Sequence, residues 1–170
     1  PDIDRKYEKD GFATNTGKVE FKSTILEEHG HNGLPEYQEP YWSPVSRPDL
    51  TKDYPFILTT GGRSKNYQHS QGRKLEMLRA IEPYPVMQIN PIDAAKLDIK
   101  DDDWLKVSSP RGEIELRALV SEIVMQGVVH APHGWEAAPV NKLIPDEALC
   151  PITGFPGFKS SLCSLEKITK

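Results

Sequence analysis

Cysteine is scarce in this sequence. It occurs only at Cys150 and Cys163, and neither belongs to a Cys-x-x-Cys pair. That excludes zinc ribbons and iron–sulfur clusters held within the chain. Both thiols read as small buried hydrophobes, with a bond between them left open. Long apolar runs are missing as well: none approaches the ~20 residues that a membrane-spanning helix needs. Nothing at the start has the form of a signal peptide. The chain opens on Pro1 without an initiator methionine, so it reads as a piece of something longer. There is no basic surplus either. With 21 Lys+Arg against 25 Asp+Glu, the formal net charge is −4. A general nucleic-acid binder needs a basic surface to displace counterions, so that class is disfavoured. A local basic pocket for a small anion stays open. Gly-x-Ser-x-Gly, His-Glu-x-x-His and a close Cys–His pair are all absent, so no self-contained catalytic apparatus is visible.

What is present describes one domain with an arm. A chain of 170 residues suits a single ordinary domain. Three Trp, six Tyr and five Phe supply core material that a disordered chain would lack. Pro35, Pro40, Pro44, Pro48 and Pro55 punctuate a stretch with no hydrophobic period. It can be neither helix nor central strand, and reads as an extended arm tacked down by Tyr37, Tyr41 and Trp42. Ahead of it, Gly17–Phe21 alternates and predicts a short strand, and Ser23–Glu28 predicts one or two helical turns.

The texture changes after Pro55, so the boundary is placed between an arm, 1–54, and a body, 55–170. Phe56–Thr60, Val86–Asn90, Trp104–Val107, Glu113–Val120, Val128–Ala131 and Leu162–Ile168 read as strands. The Ser108–Gly112 turn joins two of them in a hairpin. Leu75, Leu78 and Ile81 predict a helix over 73–81. Asn90 as N-cap, Pro91 in the first turn and Asp93 predict another. Six or seven short strands and two short helices make a mainly β fold, a small barrel with helices across its ends.

Chemistry can sit in three loops. Thr59–Arg73 follows a strand and carries Gly61, Gly62, Arg63, Lys65, His69 and Arg73. With a helix starting near Gly72, it reads either as a phosphate or pyrophosphate site or as a solvated connection. His133-Gly134-Trp135 follows another strand and offers close backbone approach, a flat face and an N–H donor, or reads as a Trp capping the core under a loop beside an incidental His. A metal reading fails there, because no Asp or Glu accompanies His130 and His133 at suitable spacing. Thr153–Ser161 reads as a loop folding back over a site, or as a hydrophobic plug. Asp101-Asp102-Asp103 reads as a turn before a strand. Rim loops on a small barrel suggest binding more than catalysis.

The order of these motifs resembles the C-terminal domain of the bis-molybdopterin guanine dinucleotide enzymes, the dimethyl sulfoxide reductase superfamily. The resemblance runs from Gly11-Phe12 and Thr16–Phe21, through Leu34–Tyr37 and Glu39-Pro40, to Leu58–Arg63, His69-Ser70-Gln71 and Ile89-Asn90-Pro91. It continues through Ser108–Gly112 and His133-Gly134-Trp135 to Gly154–Lys159. It implies a double-psi β-barrel of the aspartate decarboxylase-like kind, preceded by the arm. It implies a domain that contacts molybdopterin guanine dinucleotide, in its bis form with molybdenum or tungsten in the full-length enzyme. Thr60, Gly61, Gly62, Arg63, His69 and Ser70 would touch one dinucleotide. His133, Gly134, Trp135 and Asn141 would lie near a pterin or pyrophosphate, with Phe158 and Lys159 closing over it, and Gln71 and Asn90 are expected among the cofactor-binding residues as well. The metal's protein ligand and the iron–sulfur cysteines lie upstream in this family, so no catalytic or metal-ligating residue is expected in this chain. Expected partners are upstream domains of the same polypeptide and an iron–sulfur electron-transfer subunit, with neither nucleic acid nor membrane insertion. Two departures stand out. Glu136 and Ala137 replace a second aromatic after His-Gly-Trp, and Asp102 stands where the family favours glycine. The other readings are a free-standing small cofactor-binding subunit and a non-enzymatic barrel that binds protein partners.

Overall fold

The computed structural model describes residues 5–170. The chain divides into two compact units that meet at Gln38 and Glu39. The first contains α1 (Tyr7–Asp10) and α2 (Thr24–Glu28). Ser23 caps α2 as its sequence suggests, its hydroxyl accepting from the Leu26 N–H at 3.3 Å. The strand expected at Gly17–Phe21 does not form. Among the described residues of this unit no strand is present to pair with it, and Phe21 is 91% exposed. The Glu20 carboxylate instead gathers the backbone N–H and hydroxyl of both Thr16 and Thr24, tying the segment into turns.

The second unit begins with irregular, proline-rich backbone. Of the three aromatics expected to anchor it, only Trp42 is buried. The barrel follows: β1 (Phe56–Thr59), β2 (Val86–Ile89), β3 (Trp104–Ser108), β4 (Glu113–Val120), β5 (Val128–His130) and β6 (Ser161–Ile168). They close in the order β1-β5-β2-β4-β3-β6. β1 pairs parallel with β5 and β2 parallel with β4, while the remaining neighbours are antiparallel. Advancing every strand number by three maps this pairing onto itself. Two parallel pairs interlocked about a pseudo-two-fold axis are the double-psi arrangement. Alternation aims Leu58, Met87, Ile89, Leu105, Val107, Leu116 and Val129 inward, and all are essentially fully buried. Each such side chain contributes roughly 1.5–3 kcal/mol relative to exposure.

The β3–β4 hairpin turns through Ser109, whose N–H donates to Gly112 O at 2.8 Å. Asn90 caps α4 (Pro91–Lys96), its Oδ1 accepting from the Ile92 N–H at 3.0 Å. α3 is shorter than its stripe predicts, Glu76–Ile81, because Leu75 has extended backbone. The stripe is also largely solvent-facing: Leu75 and Ile81 are exposed. Consequently no helix N-terminus stands at Gly72. Among the described residues, no helix is long and apolar enough to cross a membrane.

The pairing register decides where the loops go. Thr59 lies opposite His130 in a parallel pair, so the chain leaves β1 and β5 at the same end of the barrel. Ser161 lies opposite Leu58 in an antiparallel pair, so the chain enters β6 at that end too. The three polar loops, far apart in sequence, therefore share one rim.

Candidate functional site

These loops enclose a cavity of about 770 Å³. Thr60, Gly61, Arg63 and His69 line it from the loop after β1. His133 and Gly134 line it from the loop after β5, and Asn141 from the 3-10 turn Val140–Leu143. Phe155, Pro156, Gly157, Phe158 and Lys159 form the opposing wall. The wall is fastened at its base, where the Thr60 N–H and hydroxyl both donate to Phe158 O, each at 2.9 Å. Phe155 and Phe158 pack edge to face, 5.3 Å between centroids.

Two loops are stitched together by imidazoles. His133 Nδ1 lies 2.9 Å from Thr60 O, and its Nε2 lies 2.9 Å from His69 Nδ1. Gly134 makes this approach possible. It sits at φ +80°, and a Cβ there would stand 2.9 Å from the His69 carbonyl carbon. Trp135 lies behind this seam. The Arg73 guanidinium packs 3.5 Å from the Trp135 ring centre and 4.5 Å from that of Tyr67, and Arg73 Nη2 donates to His133 O at 3.4 Å. A cation between aromatic faces is held by their quadrupoles. Burial pushes the Arg73 guanidinium below its ordinary pKa, with the Glu82 carboxylate acting in the opposite direction.

His130 sits beneath Gly62. Both its ring nitrogens are buried without a protein partner, and a Cβ at Gly62 would come 2.5 Å from its Nε2. Burial, with His133 nearby, lowers the His130 pKa, favouring the neutral ring.

Not every residue singled out from sequence faces the cavity. Asn90 spends its side chain on capping α4 and on Val124 O, 2.9 Å away. Gly62, Ser70, Gln71 and Trp135 lie outside the lining, next to residues that form it; the Gln71 N–H closes a turn on Gln68 O at 2.9 Å. The middle of the first loop is not free for an anion. Ser64 and Asn66 donate to the Glu82 carboxylate, and Tyr67 OH donates to Glu82 O at 2.8 Å. Three contributors stand outside the residues expected to touch the cofactor: Arg73, whose charge is visible in its loop but whose stack on Trp135 joins residues remote in sequence; His130, weighed only as a metal ligand; and Phe155, within a run already marked as a closing loop. Cys150 and Cys163 are both free, and Cys150 is only partly buried, unlike the expectation for it.

The lining chemistry suits a polyanion with flat rings. Among the described residues, Arg63 and Lys159 form no ion pair and no carboxylate lines the cavity. Two uncompensated cations, two imidazoles, an amide and two phenyl rings converge on one space. No cluster of described His, Cys, Asp or Glu could hold a metal ion.

Comparison with known proteins agrees with this geometry. Residues 56–162 match the family model described as molydopterin dinucleotide binding domain. Acetylene hydratase of Syntrophotalea acetylenica is 33% identical over 147 residues, 86% of this chain and 19% of that protein. The assimilatory nitrate reductase catalytic subunit of Bacillus subtilis is 41% identical over 118 residues, 68% of this chain and 16% of that protein. The solved structure of acetylene hydratase from Pelobacter acetylenicus superposes with TM-score 0.84 at 28% identity, covering 95% of this chain and 25% of that one. The chain thus spans a quarter or less of the relatives it matches. It belongs to the molydopterin dinucleotide binding domain family of the dimethyl sulfoxide reductase superfamily.

Proposed function

We propose that this chain is the cofactor-cradling part of a larger molybdenum or tungsten oxidoreductase, and that the rim cavity holds molybdopterin guanine dinucleotide, one of the two in a bis-dinucleotide centre. The observation that carries the reading is the cavity lining: Arg63 and Lys159 with His69, His133 and Asn141, and, among the described residues, neither an ion pair to those two cations nor a carboxylate in the lining. A pyrophosphate needs charge-assisted donors, and Arg63 and Lys159 supply them. Gly61 and Gly134, without side chains, let backbone approach the ligand closely. Phe158 and Phe155 offer apolar faces for a heterocycle and keep water from that side. When bound, the cofactor carries the metal at which the redox step takes place. This chain's own residues bind and orient it.

In this reading residues 55–170 form the cofactor-binding body and residues 1–54 an arm leading from upstream domains. Those domains supply the metal's protein ligand and the rest of the pocket, and an iron–sulfur subunit carries electrons. The chain alone is inactive. The test is an assay of metal and acid-released nucleotide on the mature full-length protein. Molybdenum or tungsten with about two guanine nucleotides per metal is the expected result. Mature protein with neither metal nor guanine nucleotide would overturn the reading.

A further inference from the structure

We propose that the His69–His133 pair takes up one proton when an anionic ligand binds, and that the added hydrogen stands on His69 Nε2. The geometry fixes the tautomers. Thr60 O can only accept, so His133 must carry its hydrogen on Nδ1, 2.9 Å away. A neutral His133 then presents a bare Nε2. His69 Nδ1 lies 2.9 Å from that atom and must be the donor. The hydrogen of neutral His69 is therefore committed to the seam, and its Nε2 is left as a lone pair on a residue that lines the cavity. A proton added to the pair therefore ends on His69 Nε2, whichever ring then holds the seam hydrogen.

A neutral His69 is thus the wrong partner for a phosphate oxygen, since two acceptors would face each other. Protonated, it becomes a charged donor. Binding an anion there moves one proton from solvent onto Nε2; no other bond is made or broken. Arg63, on the same loop, and Lys159, on the closing wall, share the cavity with His69. Arg73 and His130 lie behind the two loops, and no described carboxylate lines the cavity to take the proton instead. The ligand supplies the negative charge that favours uptake. Affinity for the anion then falls as pH rises, by up to about tenfold per pH unit. The ligand class is a pyrophosphate diester, which rests on the cofactor reading above; the tautomer assignment does not.

The test uses cofactor-free protein and GDP-mannose, a guanosine pyrophosphate diester whose own phosphates do not titrate near neutrality. Calorimetry in two buffers of different ionisation heat counts the protons taken up, and nitrogen-15 imidazole spectra locate them. The proposal expects proton uptake on binding, a hydrogen appearing on His69 Nε2, and a hydrogen kept on His133 Nδ1. His69→Asn should bind more weakly at low pH and lose the pH dependence. Binding without proton uptake, no added hydrogen on His69 Nε2, or a pH dependence that survives in His69→Asn would overturn the proposal and leave the cofactor reading standing. No binding at any pH would overturn both.

Discussion

Replacing Gly134 with alanine tests the seam directly, and a second glycine provides the control. Gly134 and Gly127 have nearly the same backbone, φ +80° and +79°. Alanine at either position must adopt a left-handed conformation, costing roughly 1–2 kcal/mol. The surroundings differ. Nothing lies within 4 Å of a Cβ at Gly127, whereas one at Gly134 meets the His69 carbonyl carbon at 2.9 Å and the Ser70 nitrogen at 3.3 Å. Both are backbone atoms, so relief requires moving the whole turn, at roughly 1–3 kcal/mol for an overpacked contact. The gain from a stiffer unfolded chain is common to both variants and cancels in their difference. Each kcal/mol lowers the melting temperature of a protein this size by about 2–4 °C. Gly134→Ala should therefore melt about 2–12 °C below Gly127→Ala. Thermal unfolding by circular dichroism reads this. Equal melting temperatures would refute the claim that the two loops are in contact through Gly134.

Gly62→Ala should destabilise by roughly 1–3 kcal/mol through its clash with His130, and adding His130→Ala should recover most of that loss in a double-mutant cycle. His130 has a depressed pKa from burial and from His133, so the unfolded chain binds its proton more readily. Its stabilising contribution is present above the ordinary imidazole range and is lost as pH falls through the depressed value; denaturant unfolding should show an acid-side decline that His130→Phe reduces. Asp102 adopts φ +64° and accepts from Tyr84 OH at 2.8 Å. Asp102→Ala should cost roughly 1–2 kcal/mol, and Asp102→Gly distinctly less, by the same unfolding assay. A thiol reagent should modify Cys150 quickly in the native protein and Cys163 only after unfolding. Hydrogen bonds from Thr153 lower the Cys150 thiol pKa, whereas burial pushes Cys163 far up; Thr153→Val should slow the first reaction.

The barrel was legible because its signals are local. Alternation in Glu113–Val120, the Asn90-Pro91 cap and the Ser108–Gly112 turn each imply one structure without reference to the rest of the chain. The strand expected at Gly17–Phe21 shows the limit of such signals, since alternation marks a strand only when a partner exists to pair with it. The apolar residues of α3 likewise follow a helical period yet face solvent. The candidate site was legible as three loops but not as one place. Their convergence depends on the pairing of β1 with β5 and β6, which no local pattern encodes. For the same reason the Arg73–Trp135 stack and the His69–His133 seam could not be read: each joins residues more than sixty positions apart. Asp102 was readable in part, because Asp tolerates left-handed backbone better than most residues.

Hydrogen exchange on the full-length protein with and without its cofactor tests the central claim most directly. The account predicts that, within this chain, added protection falls on Thr60–Arg63, His69, His133–Trp135, Asn141 and Phe155–Lys159, with little change at the opposite end of the barrel around Phe56, Lys96 and Gly127. Protection centred on that opposite end, or none within the rim loops, would contradict it.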